Sequence, residues 1–255
     1  MDLGLTDKVA IITGSSRGLG KAAATALAAE GARVVLNGRT QASLDETAGE
    51  LRAAGATVEP VVADVSTDAG CTHLVERAQQ AFGHVDILVN NAGGGTPANL
   101  EASDEDWNRA IEWMFWPSLR LARLVAPGMR ERRSGVIIMI SSVYGREMGG
   151  PPSYQVVKSA QLSLAKSLAK QLAPDNVRVL TVAPGSISFP GGSWWRRQQA
   201  DPEGMARFVA QDMPLGRFGR AEEVGDVVAF LCSDRASLVT GACIPVDGCQ
   251  GRSLI

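Results

Sequence analysis

The chain has 255 residues, 45% of them apolar, 20% charged and 5% aromatic, with a formal net charge of −2. This balance suits one folded domain with a sizeable core, and it lacks the basic footprint that nucleic acid or an anionic membrane surface demands. No apolar run approaches the length that crosses a bilayer, and Met1 to Asp7 holds no basic stretch followed by an apolar one, so the expected compartment is the cytoplasm.

The first apolar, β-branched run, Val9 to Thr13, reads as a buried strand. Gly14, Gly18 and Gly20 follow it, and an alanine-rich helix starts near Lys21 and runs to about Glu30. A strand, a glycine-rich turn and a helix in that order leave free N–H groups at a helix N-terminus, where the helix dipole also favours an anion such as phosphate. Glycines there permit positive φ and a close ligand approach. Next come a strand at Arg33 to Asn37, a helix at Gln41 to Ala54, a strand at Thr57 to Val62, a helix at Thr67 to Phe82 and a strand at Asp86 to Asn90. A long helical segment, Asp104 to Arg132, precedes the strand Gly135 to Ile140. A helix at Tyr154 to Ala173 and a strand at Val177 to Val182 follow. Pro184 to Pro214 reads as irregular, and the chain closes with a helix at Ala221 to Leu231 and a strand at Ala242 to Val246. Alternation of strands with helices, the strands continuously apolar, predicts an α/β fold with a doubly wound parallel sheet of about seven strands, covered by helices on both faces. Residues 1–255 are expected to form a single domain.

In such a sheet, ligands bind outside the carboxyl ends of the strands. Those ends carry the glycine turn, then Asn37, Gly38 and Arg39, then Asp64, then Asn91, Ala92 and Gly93, then Ser141 and Ser142, and finally Pro184 and Gly185. Tyr154 and Lys158 lie four apart on a helix and share a face. An ammonium beside a phenol favours the phenolate, which brings its pKa toward neutrality, and Ser142 is placed to hydrogen-bond the same substrate oxygen.

The motifs TGSSRGLG, DV at Asp64, NNAG at Asn90, ISS at Ile140, YQVVK at Tyr154 and PG at Pro184 stand in this order along nearly the whole chain. In this the sequence resembles the short-chain dehydrogenase/reductase family, and within it 3-oxoacyl-carrier-protein reductases and their relatives. The resemblance implies a single-domain Rossmann fold and hydride transfer between a nicotinamide and a carbonyl or alcohol carbon of a small-molecule substrate. It implies Tyr154 as proton donor or acceptor. Lys158 would lower the phenol pKa and hold the nicotinamide ribose, and Ser142 would position the reacting oxygen. It places the cofactor on Gly14, Ser16, Arg17, Gly18, Leu19 and Gly20, on Arg39, Asp64 and Val65, and on Asn91, Ala92 and Gly93. Tyr154, Lys158, Pro184, Gly185 and Ile187 complete the set. Asn91 would border the adenine ribose, Asp64 would meet the adenine, and Pro184 to Ile187 would lie along the nicotinamide. It also implies a homotetramer, with the helices near Trp107 to Arg132 and Tyr154 to Ala173, and the C-terminal tail, at the interfaces.

The cofactor choice follows from charge. An acidic residue after the second strand binds the ribose 2'-OH of NAD, and an arginine accommodates the 2'-phosphate of NADP. Here Gly38 stands at the acidic position, Arg39 follows, and Arg17 supplies a second guanidinium, so NADP(H) is expected over NAD(H). The pattern is broken where the family has an asparagine that anchors a water in the proton path. That position is Met114, and a thioether cannot replace an amide. A second reading is therefore a weakly active or inactive NADP(H)-binding sensor or scaffold. Pro117 is expected mid-helix, where its ring crowds the carbonyl of Trp113 and frees it to hold such a water.

The segment 186–214 corresponds to the family's substrate lid. Its Phe189, Trp194, Trp195, Met205, Phe208 and Met213, with Gly191 and Gly192 as hinges, favour an apolar or acyl substrate. Arg130, Arg132 and Arg133 would suit an acidic carrier protein, but Asp175 weakens that basic patch. VDGC at Val246 to Cys249 departs from the family's VDGG, and Gln250 to Ile255 are expected to alter subunit contacts. Cys71, Cys232, Cys243 and Cys249 lack zinc-type spacing and read as reduced thiols. His73 and His84 read as surface residues, and no metal is expected.

Overall fold

The computed structural model describes residues 2–93 and 98–254. Its seven strands are β1 (Val9–Ile12), β2 (Arg33–Gly38), β3 (Val58–Val62), β4 (Ile87–Asn90), β5 (Gly135–Ile140), β6 (Val177–Pro184) and β7 (Cys243–Val246). They form one sheet in the order β3-β2-β1-β4-β5-β6-β7, and every pair is parallel. The chain is therefore a single Rossmann-like α/β domain.

The helices are α1 (Gly18–Ala29), α2 (Gln41–Ala53), α3 (Asp68–Phe82), α4 (Asp104–Met114), α5 (Trp116–Arg132), α6 (Pro152–Leu172), α7 (Ser193–Ala200), α8 (Pro202–Asp212) and α9 (Ala221–Cys232). Strand residues alternate between two cores. Ala10, Ile12, Val34, Leu36, Val89 and Ile138 meet α1, α2 and α9 on one face. Ile11, Val35, Leu88, Ile137, Met139 and Val179 meet α3, α5 and α6 on the other. A parallel sheet needs both faces covered, which explains why its strands are continuously apolar.

Strand order reverses between β1 and β4, and there the loops diverge to leave a crevice. Side-chain amides pin the turn after β1 to both neighbouring strands. Asn37 Oδ1 accepts from Gly14 N at 3.4 Å and its Nδ2 donates to the Ala63 carbonyl at 3.0 Å. Asn91 Nδ2 donates to the carbonyls of Thr13 and Gly14 at 2.8 and 3.1 Å. Gly14 and Gly18 have φ of 61° and 57°, as expected for glycine there. Gly20 does not; it is required because a Cβ would collide with the Gly14 carbonyl and the Asn91 amide.

Two stretches differ from the sequence expectation. The 104–132 segment is two helices broken at Phe115, and Pro117 lies in the first turn of α5. A proline is tolerated there because its missing N–H would have no partner within the helix, so Pro117 is no mid-helix kink. The proline inside α5 is Pro127. Most of the segment expected to be irregular is helical, as α7 and α8. The start of α8 is set by Pro202 in its first turn and by Asp201, whose carboxylate accepts from Gly204 N at 2.8 Å.

Asn91→Ala removes two hydrogen bonds that tie β4 to the glycine turn. It should lower the unfolding free energy by about 1–2 kcal/mol in urea titrations and weaken dinucleotide binding in parallel.

Candidate active site

A cleft of about 480 Å³ opens at the β1/β4 crevice, lined by Gly14, Ser16, Arg17, Gly38, Arg39, Thr40, Ser43, Asp64, Val65, Ala92, Gly93 and Trp113, among others. Arg17 and Arg39 are exposed at its rim, and neither is ion-paired to a carboxylate among the described residues. The Arg39 guanidinium lies over the Trp113 ring, 5.2 Å from its centroid. Asp64 Oδ1 accepts from Ser66 N at 3.0 Å, which orders its own loop.

At the inner end of the cleft stands α6. Its buried residues Ser153, Val157, Lys158, Gln161, Ala165, Ala169 and Leu172 follow helical spacing, so three polar side chains, Ser153, Lys158 and Gln161, sit within the inward stripe. The Lys158 ammonium is buried, with 4% of the residue exposed. It donates to the Ile140 carbonyl at 2.8 Å and to Gln161 Oε1 at 3.1 Å. Its Nζ is 5.6 Å from the centroid of the Tyr154 ring, and a Cβ placed on Gly93 would lie 3.9 Å from it. Ser142 lies near enough to the Tyr154 hydroxyl to lower its pKa, and its Oγ accepts from Tyr144 N at 3.2 Å. Met114 packs with Ala110 and Val157 beside Tyr154.

Electrostatics in this unliganded chain run against the sequence expectation. Burial pushes the Lys158 ammonium down to about 8. The Tyr154 phenol is pushed above its usual value, first by burial; Ser142 pulls the other way, and Tyr144 adds to the rise. The lysine thus discharges before the phenol ionises, and the expected lowering of the phenol by the ammonium is not among the causes that set its pKa. The phenol remains protonated at neutral pH.

Ser142, Tyr154 and Lys158 therefore meet, and Gly93 links them to the cleft that holds Gly14, Ser16, Arg17, Arg39, Asp64, Val65 and Ala92. Gly18, Leu19 and Gly20 form the start of α1 behind the turn. The Asn91 side chain is turned onto that turn. Pro184 ends β6 and Gly185 follows it, and Ile187, buried, lines a second cavity of about 260 Å³ with Ser186, Leu215 and Arg217. The carbonyl gripped near the helix break is that of Met114, one residue beyond the expected Trp113. It accepts from Gln161 Nε2 at 3.0 Å.

Three further groups of residues singled out in the sequence have defined surroundings. The lid aromatics stack on one another, with Trp194 and Phe208 4.9 Å apart and both near Phe218. Phe189 lies against Gly18. The C-terminal tail folds onto its own chain. Gln250 Oε1 accepts from Ser186 N at 2.8 Å, and Glu147 Oε2 accepts from the backbone N–H groups of Arg252 and Ser253 at 2.6 and 2.7 Å. The arginines considered for a carrier protein are tied inward. Arg130 pairs with Asp175 at 2.6 Å, Arg132 donates to the Val85 carbonyl and Arg133 to that of Pro174. Burial pushes the Cys71 and Cys232 thiols up to about 11 and 12, so both stay protonated. His84 is half-exposed and bonded to Asp86 at 3.0 Å.

Sequence reading missed Gln161 and Gln250. The first was accessible through its i, i+3 spacing from Lys158; the second contacts Ser186 across a sequence separation that no local pattern encodes.

The residues fit a phosphorylated dinucleotide. The glycine turn carries two positive-φ glycines, the rim carries two guanidiniums with no carboxylate partner among the described residues, and Gly93 leaves the path from the cleft to Lys158 open. Comparison with known proteins agrees. The family described as Enoyl-(Acyl carrier protein) reductase matches residues 14–249. The chain is 36% identical to the 3-oxoacyl-[acyl-carrier-protein] reductase FabG of Thermotoga maritima over 248 residues, 96% of this chain and 98% of the relative. It is 37% identical to FabG of Escherichia coli over 244 residues, 94% of this chain and 96% of the relative. Among solved structures, L-sorbose reductase from Gluconobacter frateurii, complexed with NADPH and L-sorbose, matches with a TM-score of 0.94 at 37% identity over 100% of both chains. With the motifs in order, the sheet order and relatives covering nearly its whole length, the chain belongs to the short-chain dehydrogenase/reductase family, whose members are oxidoreductases acting on carbonyl and alcohol groups.

Proposed function

We propose that this chain is an NADP(H)-dependent reductase that acts on the carbonyl group of a small molecule, with Ser142, Tyr154 and Lys158 as its catalytic residues. The observation that carries this reading is the meeting of a protonated phenol, a serine hydroxyl and a buried ammonium at the inner end of the cleft. The nicotinamide, when bound, supplies or takes up the hydride. The Tyr154 hydroxyl donates its proton to the carbonyl oxygen as that atom gains charge, and the Ser142 hydroxyl holds the same oxygen. Lys158 keeps a positive charge beside the phenol that has given up its proton. In the direction of alcohol oxidation the same groups act in reverse.

The glycine turn, from Gly14 to Gly20, would hold the pyrophosphate, and Arg17 with Arg39 would clamp the 2'-phosphate of NADP(H). Asp64, Val65, Asn91, Ala92 and Gly93 would flank the adenosine, and Pro184, Gly185 and Ile187 the nicotinamide. The NADPH complex of the sorbose reductase relative supports NADP(H) over NAD(H). A free ketone is favoured over an acyl chain on a carrier, because Arg130, Arg132 and Arg133 are engaged within the chain. The sorbose reductase relative, complexed with L-sorbose, supports a polar, hydroxyl-bearing ketone as the substrate class, beside the apolar or acyl substrate that the lid sequence implies. The reading of a cofactor sensor with little catalysis rests on Met114 alone, and the assembled triad speaks against it. A homotetramer in the cytoplasm is the assembly we propose, and sedimentation of the purified protein should give four times the chain mass.

A panel of ketones and polyols followed by NADPH absorbance tests the activity. Tyr154→Phe should cut turnover by about 10²- to 10⁴-fold and leave NADPH affinity within a few-fold; full activity in that variant would end the proposal. Arg39→Asp should raise the NADPH KM by about 10- to 100-fold, the loss of a charge-assisted clamp, and improve the use of NADH. Equal KM values for the two cofactors in the unaltered protein would refute the NADP(H) preference.

A further inference from the structure

The inward stripe of α6 holds a polar residue that the reading above leaves without a role. Gln161, one turn beyond Lys158, is fully buried, where an unbonded amide is strongly disfavoured. It is bonded at both ends. Oε1 accepts from Lys158 Nζ at 3.1 Å, and Nε2 donates to the Met114 carbonyl and to Ser118 Oγ, each at 3.0 Å. The orientation is fixed by chemistry, since a flipped amide would aim N–H at an ammonium and oxygen at a carbonyl oxygen. Ser118, also buried, has its hydroxyl 3.4 Å from the same Met114 carbonyl. With the Ile140 carbonyl, these contacts account for two of the three Lys158 N–H bonds. The third has no acceptor among the described residues.

We propose that Gln161 is a positioning residue, its amide tying the Lys158 ammonium to the main-chain carbonyl of Met114 and so making good the side-chain amide that position 114 lacks. The inference rests on the reductase reading for its consequence, but the tether itself is independent of substrate. Because the link uses a backbone carbonyl, the methionine side chain is free to pack against Val157 beside Tyr154. The titratable group beside Lys158 is Tyr154 on its own helix, whose own rise Tyr144 in the loop after β5 adds to; no charged group perturbs Lys158, whose shift comes from burial alone. An acceptor that bonds the ammonium favours its charged form.

The test is NADPH binding to the purified protein, followed by cofactor fluorescence from neutral to alkaline pH. Affinity for this polyanion should fall as Lys158 discharges. Gln161→Leu should move the midpoint of that fall down by about one pH unit, because a hydrogen bond to a charged group shifts an ionisation equilibrium by about tenfold or more. Gln161→Glu should move it up through an ion pair. Opposite shifts in two variants with native circular dichroism support the tether, and Gln161→Met replaces the leucine variant should that one not fold. An unmoved midpoint in the apolar variant, or shifts of the same sign in both, overturns it, since a glutamine with a merely structural role would not split the two. If the unaltered protein binds NADPH but reduces no ketone, the reductase reading fails and the tether is still read from binding.

Discussion

A charged lysine held in the interior is the constraint around which this site is built. Desolvation disfavours the ammonium strongly enough to bring it to about 8, and an unpaired buried charge is among the most destabilising features a fold can carry. No carboxylate among the described residues answers it. Two neutral oxygens do, the Ile140 carbonyl at the end of β5 and the Gln161 amide on α6. Neutral acceptors leave the charge uncompensated, so it keeps its field on the phenol and the open cleft rather than losing it to an ion pair. The Ile140 carbonyl is available because β5 ends there and the chain turns away through Ser141 and Ser142. The Ser141 hydroxyl donates to the Lys158 carbonyl at 2.8 Å, which pins α6 to the strand end.

The same strand ends fix the cleft. In a doubly wound sheet the reversal of strand order creates the crevice, but the crevice alone does not hold a glycine turn in one shape. Asn37 and Asn91 do so by bonding across from β2 and β4. Thr13 Oγ1 adds to this by accepting from the backbone N–H groups of Asn91 and Ala92 at 2.9 and 2.8 Å. Asn90, buried at the end of β4, has no partner for its amide among the described residues. By strand alternation it faces the α5 and α6 side of the sheet, the side that carries Ser118, Gln161 and Lys158.

Much of this was legible in the sequence, and the reason is periodicity. Apolar runs such as Gly135 to Ile140 could only be buried parallel strands, and the polar residues after each run fell at the cleft because strand ends converge there. Local signals misled where two of them competed. Between Pro184 and Pro214 the glycines and prolines outweighed the helix-start signal at Asp201 and Pro202, although that signal decided the fold of α8. At Pro117 the pattern gave the correct disturbance but the wrong register, because a proline two residues inside a new helix and one in the middle of an old helix look alike in sequence. Gln250 was out of reach, since its partner Ser186 is set by how β6 and β7 pair.

The consequence of Met114 turns on which part of the residue matters. Judged by side chains, a thioether where an amide is expected removes a hydrogen-bonding group and argues for lost catalysis. The bond found there is to the carbonyl, which every residue possesses, and the donor comes from the helix that bears the tyrosine and lysine. An amide moved from α4 to α6 travels with the groups it serves. It also lies among fully buried neighbours, whereas a side chain at the broken end of α4 would depend on how that helix joins α5. The methionine then becomes an apolar wall beside Tyr154, and burial of that kind is what keeps the phenol protonated until it meets an oxygen able to take its proton.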